Sequence, residues 1–200
     1  MKKIKLFVDA HKQEKWLNEM LQQGWVCKKV HTLLGIYYFK KADTLDQVIR
    51  LDFQTFKSEE MYQQYIQLHE DFGWEHIGGS RWSSLQYWLK PINGLDELYS
   101  DNASEKSHLQ RLTKSYGEST LLFLILTMIF FKNASQFSSL KSAYFTPGLW
   151  DREGTDFLLA FLFETPFALL RFGSPWLVLI TGIAFMTTYV KYKKLLDKTA

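Results

Sequence analysis

Ile4, Leu6 and Val8 alternate with polar neighbours, which predicts a strand buried on one face. The period changes after Lys12. Trp16, Leu17, Met20 and Leu21 recur at helical spacing, with Glu14, Lys15, Asn18 and Glu19 left for water. Gly24 follows as a helix stop, because a residue without a Cβ enters the left-handed region at little cost. "WVCKKV" and "IYYFKK" then read as two strands joined by a turn at Gly35.

The same order returns downstream. An offset of 49 residues pairs Gly24 with Gly73, Trp25 with Trp74, Trp16 with Tyr65, Leu17 with Ile66, Tyr38 with Tyr87 and Phe39 with Trp88. Ahead of the helix the offset is 45, pairing Ile4, Leu6 and Val8 with Ile49, Leu51 and Phe53. The two offsets differ by about one helical turn, which lengthens the second helix without rotating its apolar face far. These echoes predict an α+β domain over residues 1–92, made of duplicated β-α-β-β units at about 1–44 and 45–92. Their strands are expected to form one antiparallel sheet with both helices on a single face. The aromatic set Trp25, Tyr38, Trp74, Trp82 and Trp88 is expected mainly in the helix–sheet core, and it is also where a ligand or partner surface would be sought.

"IKLFVDAHKQEKWLNEMLQQGW", "YYFKK" and "IRLDFQTFKSEEMYQQYIQLHEDFGWE" together resemble the bacterial family catalogued as domain of unknown function 2812. The pattern joins a lysine-rich first strand, here with Lys5, to a helix from Lys15 to the Gly24-Trp25 pair. It continues with an R-x-D strand at Arg50 and Asp52 and a GWE turn at Gly73 to Glu75. The resemblance covers roughly residues 2–90. It implies C-terminal membrane helices and association with small winged-helix transcriptional repressors. It carries over no catalytic residue.

Beyond Lys114 charge thins sharply. "SYGESTLLFLILTMIFF" is apolar from Leu121 to Phe131 apart from Thr127, which predicts a span at about 115–135. "GSPWLVLITGIAFMTTYV" followed by "KYKK" predicts a second at about 173–190, with Pro175 in its first turn and Trp176 and Tyr189 at its ends. "FLLAFLFETPFALLRF" carries Glu164, Pro166 and Arg171, so about 157–171 reads as a re-entrant or interfacial segment. Glu164 and Arg171 are the candidate polar site of the membrane region. Lys106, Arg111 and Lys114 before the first span, and Lys191, Lys193, Lys194 and Lys198 after the last, place both termini in the cytoplasm. The membrane region is thus 115–192, preceded by a polar linker at 93–114 and followed by a basic tail at 193–200.

Composition narrows the chemistry. Across 200 residues the formal net charge is +3, and through Tyr116 there are sixteen Lys and Arg against fifteen Asp and Glu. No nucleic-acid partner is expected from that balance. The single cysteine, Cys27, excludes an internal disulfide and suits a reducing compartment. Cys27 and His76 are equivalent under the offset of 49 but have no further ligands at hand, so neither a metal nor another cofactor is expected. Asp9, Asp52, Asp71 and Glu75 read as solvated turn residues, with no converging pair that would mark a hydrolase. The basic N-terminus is followed by no apolar run of signal-peptide length, so insertion is expected from the later segments.

The expected protein is therefore non-enzymatic and multi-pass in the bacterial cell membrane. Its cytoplasmic domain would dock a cytosolic or membrane protein, or sense a ligand, and oligomers are allowed. Transport or immunity through Glu164 and Arg171 is the alternative, and an enzyme at the membrane surface a weaker one.

Overall fold

A computed structural model describes residues 1–41, 46–92, 98–99, 102–134 and 139–199. Its strands are β1 (Lys2–Ile4), β2 (Trp25–His31), β3 (Ile36–Lys41), β4 (Gln47–Phe53), β5 (Glu75–Gly78) and β6 (Leu85–Pro91); its helices are α1 (Ala10–Gln22), α2 (Glu59–Asp71), α3 (Asn102–Ala134) and α4 (Gly154–Lys198). The chain forms two compact units, Met1–Thr113 with Tyr192–Ala200, and Lys114–Lys191. The boundary between repeat units expected at about 44/45, and part of the expected linker, 93–97 and 100–101, lie outside the described residues.

In the first unit the paired Gly-Trp signal has a common cause. Gly24 and Gly73 stand at φ 82° and 81°, in the left-handed region, directly after the caps of α1 and α2. After α2 the Gly73 N–H donates to the Glu70 carbonyl at 2.8 Å and the Trp74 N–H to the His69 carbonyl at 3.0 Å. This double closure satisfies carbonyls that a helix end leaves open and turns the chain back toward the sheet.

The sheet order is β1-β3-β2-β5-β6-β4. Each neighbouring pair is antiparallel except β2 and β5, which meet in parallel with Val30 opposite Gly78. The sheet is therefore mixed, where an antiparallel one was expected. The connections β1-α1-β2 and β4-α2-β5 both link parallel strands across one intervening strand, but they travel in opposite directions along the sheet. Such crossovers share one hand almost without exception, so opposite travel puts the two helices on opposite faces.

The packing follows. Leu17, Met20 and Leu21 of α1 cluster with Val30, Tyr37, Ile49, Leu51, Tyr87 and Leu89. Tyr65 and Ile66 of α2 pack against Val48, Trp74 and Trp88, and Val48 and Trp88 alternate with the first set along β4 and β6. The expectation of two helices on one face is thus corrected. Trp16 meets Phe39 and Tyr65 meets Trp88, each at 5.7 Å between ring centroids. The same inversion puts Cys27 on the α1 face and His76 on the α2 face, so they do not converge.

α1 also closes the sheet. Asn18 forms a two-way bond with the Ile49 backbone, accepting from its N–H at 2.9 Å and donating to its carbonyl at 2.8 Å. Glu14 accepts from Leu51 N–H at 2.9 Å and pairs with Arg50 at 3.2 Å. The outer edge of β4 is thereby supplied with hydrogen-bond partners by a helix, which hides backbone groups that would otherwise invite another strand. Gln13 donates to the hydroxyls of both Tyr37 and Tyr87, joining β3 to β6 beneath the helix.

From Asn102 the expected linker is helix, and Leu109 and Leu112 are buried. In the second unit, residues 157–171 are neither re-entrant nor separate. They form one continuous 45-residue helix with 173–190, with Pro166 and Pro175 inside it. Pro175 deprives the Arg171 carbonyl of its helical partner, and the Ser174 hydroxyl donates to that carbonyl at 3.4 Å. Small residues line the α3–α4 contact: a Cβ at Gly117 would lie 3.2 Å from the Tyr189 ring, and one at Gly182 would lie 3.2 Å from Phe123. Phe123 stacks on Phe185 at 5.2 Å, and Phe131 meets Trp176 edge-on at 5.5 Å.

Gly24→Ala and Gly73→Ala are each expected to lower stability by about 1–2 kcal/mol, the cost of a side chain in the left-handed region. No steric conflict adds to it, because a Cβ at Gly24 would meet nothing within 4 Å and one at Gly73 only Lys90 Cε at 3.8 Å. Denaturant unfolding of the full chain in detergent measures the loss, which should be smaller for the Asn variants.

Candidate functional site: a filled carboxylate where α3 begins

Asp52 is the penultimate residue of β4, at 2% exposure, on the face that α2 covers. A buried carboxylate must be neutralised or filled with donors, and this one is filled from three other segments. Tyr65 of α2 donates to Oδ2 at 2.8 Å, Tyr99 donates to Oδ1, and Arg111 of α3 reaches Oδ1 at 3.4 Å. His108 Nδ1 lies 3.1 Å from Oδ1 and 2.9 Å from the Tyr99 hydroxyl. Behind this shell, Trp88 Nε1 donates to the Tyr65 hydroxyl at 2.9 Å, and Arg111 Nε donates to the Phe53 carbonyl at 2.8 Å.

The electrostatics follow from the geometry. Burial on its own would raise the Asp52 carboxyl. Hydrogen bonds from His108, Tyr99 and Tyr65, with the charge of His108, outweigh it and hold the group at about 2. Tyr65 and Tyr99 are pushed well above the ordinary phenol range, first by burial and then by the Asp52 charge. They remain donors at any physiological pH. The site is therefore a permanently ionised anchor that fastens the first turns of α3 to the sheet.

A second carboxylate does the same for the chain's last segment. Asp9 caps α1, accepting from His11 N–H at 3.0 Å. The fully buried Tyr192 donates its hydroxyl to Asp9 Oδ1 at 2.9 Å. The solvated reading of Asp9 and Asp52 is thus corrected: each is enclosed by an element distant in sequence. Asp71 and Glu75 are exposed, as expected, and Glu75 pairs with Lys28 at 3.2 Å.

The aromatic set does not form one surface. Trp74 and Trp88 are buried under α2, Trp25 packs against the α1 core, and Tyr38 and Trp82 are exposed. Trp82 carries the Arg81 guanidinium over its ring at 4.8 Å. Cys27 is buried and its thiol is pushed up to about 12 by that burial, which leaves no thiolate to act as a nucleophile. Among the described residues no His, Cys, Asp and Glu grouping has the form of a metal site.

Glu164 and Arg171, by contrast, come together within the second unit. Arg171 donates to Glu164 at 2.5 Å and to the Ala143 carbonyl at 2.9 Å; Glu164 accepts from Phe145 N–H at 3.2 Å and the Thr146 hydroxyl at 2.7 Å. The pair clasps the 143–146 segment against α4, and Arg171 lies 4.1 Å from the Phe145 ring centre. Glu164 and Arg171 were legible as a candidate polar site, and their contact with each other is the structure's addition. The partners of Asp52 were not, because no local spacing links Tyr65, Tyr99, His108 and Arg111.

Because the Asp52 pKa is lower in the folded chain than its ordinary 3.8, its contribution is complete above about pH 4 and is lost as pH falls through about 2. Asp52→Asn is expected to remove about 2 kcal/mol of stability at neutral pH and to flatten the acid limb between those values, read by unfolding curves across pH. Glu164→Gln is expected to free the 139–151 segment, seen as faster proteolytic cleavage there with the far-ultraviolet circular dichroism of the chain unchanged.

The family model described as "Protein of unknown function (DUF2812)" matches residues 9–121, a stretch that includes α1, both anchoring carboxylates and the start of α3. No curated protein and no solved structure matches the chain.

Proposed function

The chain belongs to the DUF2812 family, and from that premise we propose that it is a non-enzymatic sensory or adaptor protein of the bacterial membrane, whose cytoplasmic α+β domain binds a regulator or ligand. One observation carries the reading. Two helices are long and apolar enough to cross a membrane, and only 11% of the apolar window of each is buried. Leu122, Ile125, Met128 and Phe130 on α3, and Leu177, Ile180, Ile183 and Met186 on α4, stand exposed in continuous bands. Water is a poor solvent for bands of that size, whereas a bilayer needs no other cover for them. The small residues at the α3–α4 contact are those that membrane helices use for close approach.

The adaptor role draws support from the two anchors. His108 and Arg111 of α3 and Tyr192 of α4 are bound to the α+β domain through enclosed carboxylates, Asp52 and Asp9. A displacement at either bonded residue set would then bear on β4 or on the α1 cap. The donors around Asp52 bond to it and to one another, which favours a structural task over catalysis. The Glu164–Arg171 pair is likewise occupied, so transport through it is the weaker alternative. The flanking lysines favour both termini in the cytoplasm. A winged-helix repressor is the partner to test first, on the resemblance of the motif segments to family members that accompany one.

Crosslinking with mass spectrometry on native membranes is expected to recover a cytosolic regulator joined to the α+β domain; recovery of lipid-embedded neighbours alone would overturn docking. Ser142→Cys is expected to react with an impermeant maleimide added outside intact cells, and Thr199→Cys only after lysis. Equal labelling of both in intact cells would overturn the topology.

A further inference from the structure

The end of the sheet where β1, β2 and β5 finish carries large apolar side chains that are mostly exposed. Leu6 is 78% exposed, Leu34 61% and Trp82 85%. They occupy three loops, β1–α1, β2–β3 and β5–β6, that the strand order sets side by side. Gly35 joins the first two: its N–H side turns at φ 58°, its carbonyl accepts from Lys5 N–H at 2.8 Å, and a Cβ there would meet Leu6 Cδ2 at 2.8 Å. Beyond β2 and β5, which pair in parallel at Val30 and Gly78, the chain continues in the same direction to Leu34 and Trp82. Cations border the loops. Lys5 lies 4.9 Å from both the Phe7 and Trp16 ring centres, and Arg81 covers Trp82 while donating to the Lys57 carbonyl at 3.0 Å. The exposed acids Glu59 and Glu60 lie off to the α2 side, in that helix's first turn, where they complement its dipole.

This is also the end at which the chain leaves the α+β domain. Tyr192, two residues after the apolar run ends at Val190, is bound to Asp9 at the start of α1. His108 and Arg111, three or more residues before Lys114, are bound to Asp52 and Phe53 at the end of β4. We propose that Leu6, Leu34 and Trp82, with Lys5, Lys57 and Arg81, form a bilayer-contact surface that inserts its apolar tips among anionic lipid headgroups. The inference rests on the membrane reading above and adds which end of the domain meets the lipid. An aromatic ring with a cation beside it suits the headgroup zone, and the cations suit an anionic leaflet.

The test uses the full chain reconstituted in phosphatidylcholine vesicles containing phosphatidylglycerol. Nitroxide labels are placed singly by Leu34→Cys, Trp82→Cys, Ile180→Cys and Gln23→Cys, the last on the exposed end of α1 away from the loops. Buried Cys27 stays unlabelled. Collision with dissolved oxygen relative to an aqueous nickel chelate is expected to be several-fold higher at 34 and 82 than at 23, and higher still at 180. Values at 34 and 82 equal to that at 23, with 180 in lipid, would overturn this surface alone. A water-exposed label at 180 would overturn the membrane reading and the surface with it. Circular dichroism of each labelled chain checks that the fold is retained.

Discussion

Two crossovers of the same hand, travelling in opposite directions across one sheet, set almost everything else in this fold. They turn the second β-α-β-β run over relative to the first. α1 then faces strands from both runs and becomes the centre of a single core, while α2 covers only the far half of the other face. Asp52 comes to rest on that second face at the end of β4, beside α2 and within reach of α3. Had both helices lain on one face, Asp52 would point to the side away from Tyr65, and the shell that keeps it ionised would lose the Tyr65 donor to Oδ2.

A good part of this was readable in the chain. The helical period of Trp16, Leu17, Met20 and Leu21 and the glycines at 24 and 73 report local backbone preferences, and local preferences survive folding. The R-x-D strand and the KWLNEM helix were visible as motifs; the structure adds that they touch, through Arg50 with Glu14 and Asn18 with Ile49. What the pattern did not contain was the hand of assembly. Alternation along a strand distinguishes two faces but does not say which helix lies on which.

The other departures share a cause as well. Residues 102–113 are polar in composition and read as a linker, yet Leu109 and Leu112 give one narrow apolar stripe that is enough to seat a helix. Pro175 read as the first turn of a new helix and Pro166 as part of a re-entrant or interfacial segment, because a proline inside a helix costs several kcal/mol. In α4 the surrounding helix is long, and a serine hydroxyl stands in for one missing donor. Glu164 and Arg171 looked costly for an apolar helix because each was weighed alone. Paired and bonded to the 143–146 backbone, they are mutual partners.

The parallel meeting of β2 and β5 has a mechanical corollary. Only Val30 and Gly78 are in register across it, whereas β4 and β6 match over seven successive residues. The middle of the sheet is therefore its softest line, and what bridges it is α1, through Gln13 to Tyr37 and Tyr87 and through Asn18 and Glu14 to the far edge. That helix starts at the cap to which Tyr192 is bound. The residue that receives Tyr192 is thus the cap of the strap across the seam, so one aspartate serves both the end of α4 and the helix that holds the two halves of the sheet together.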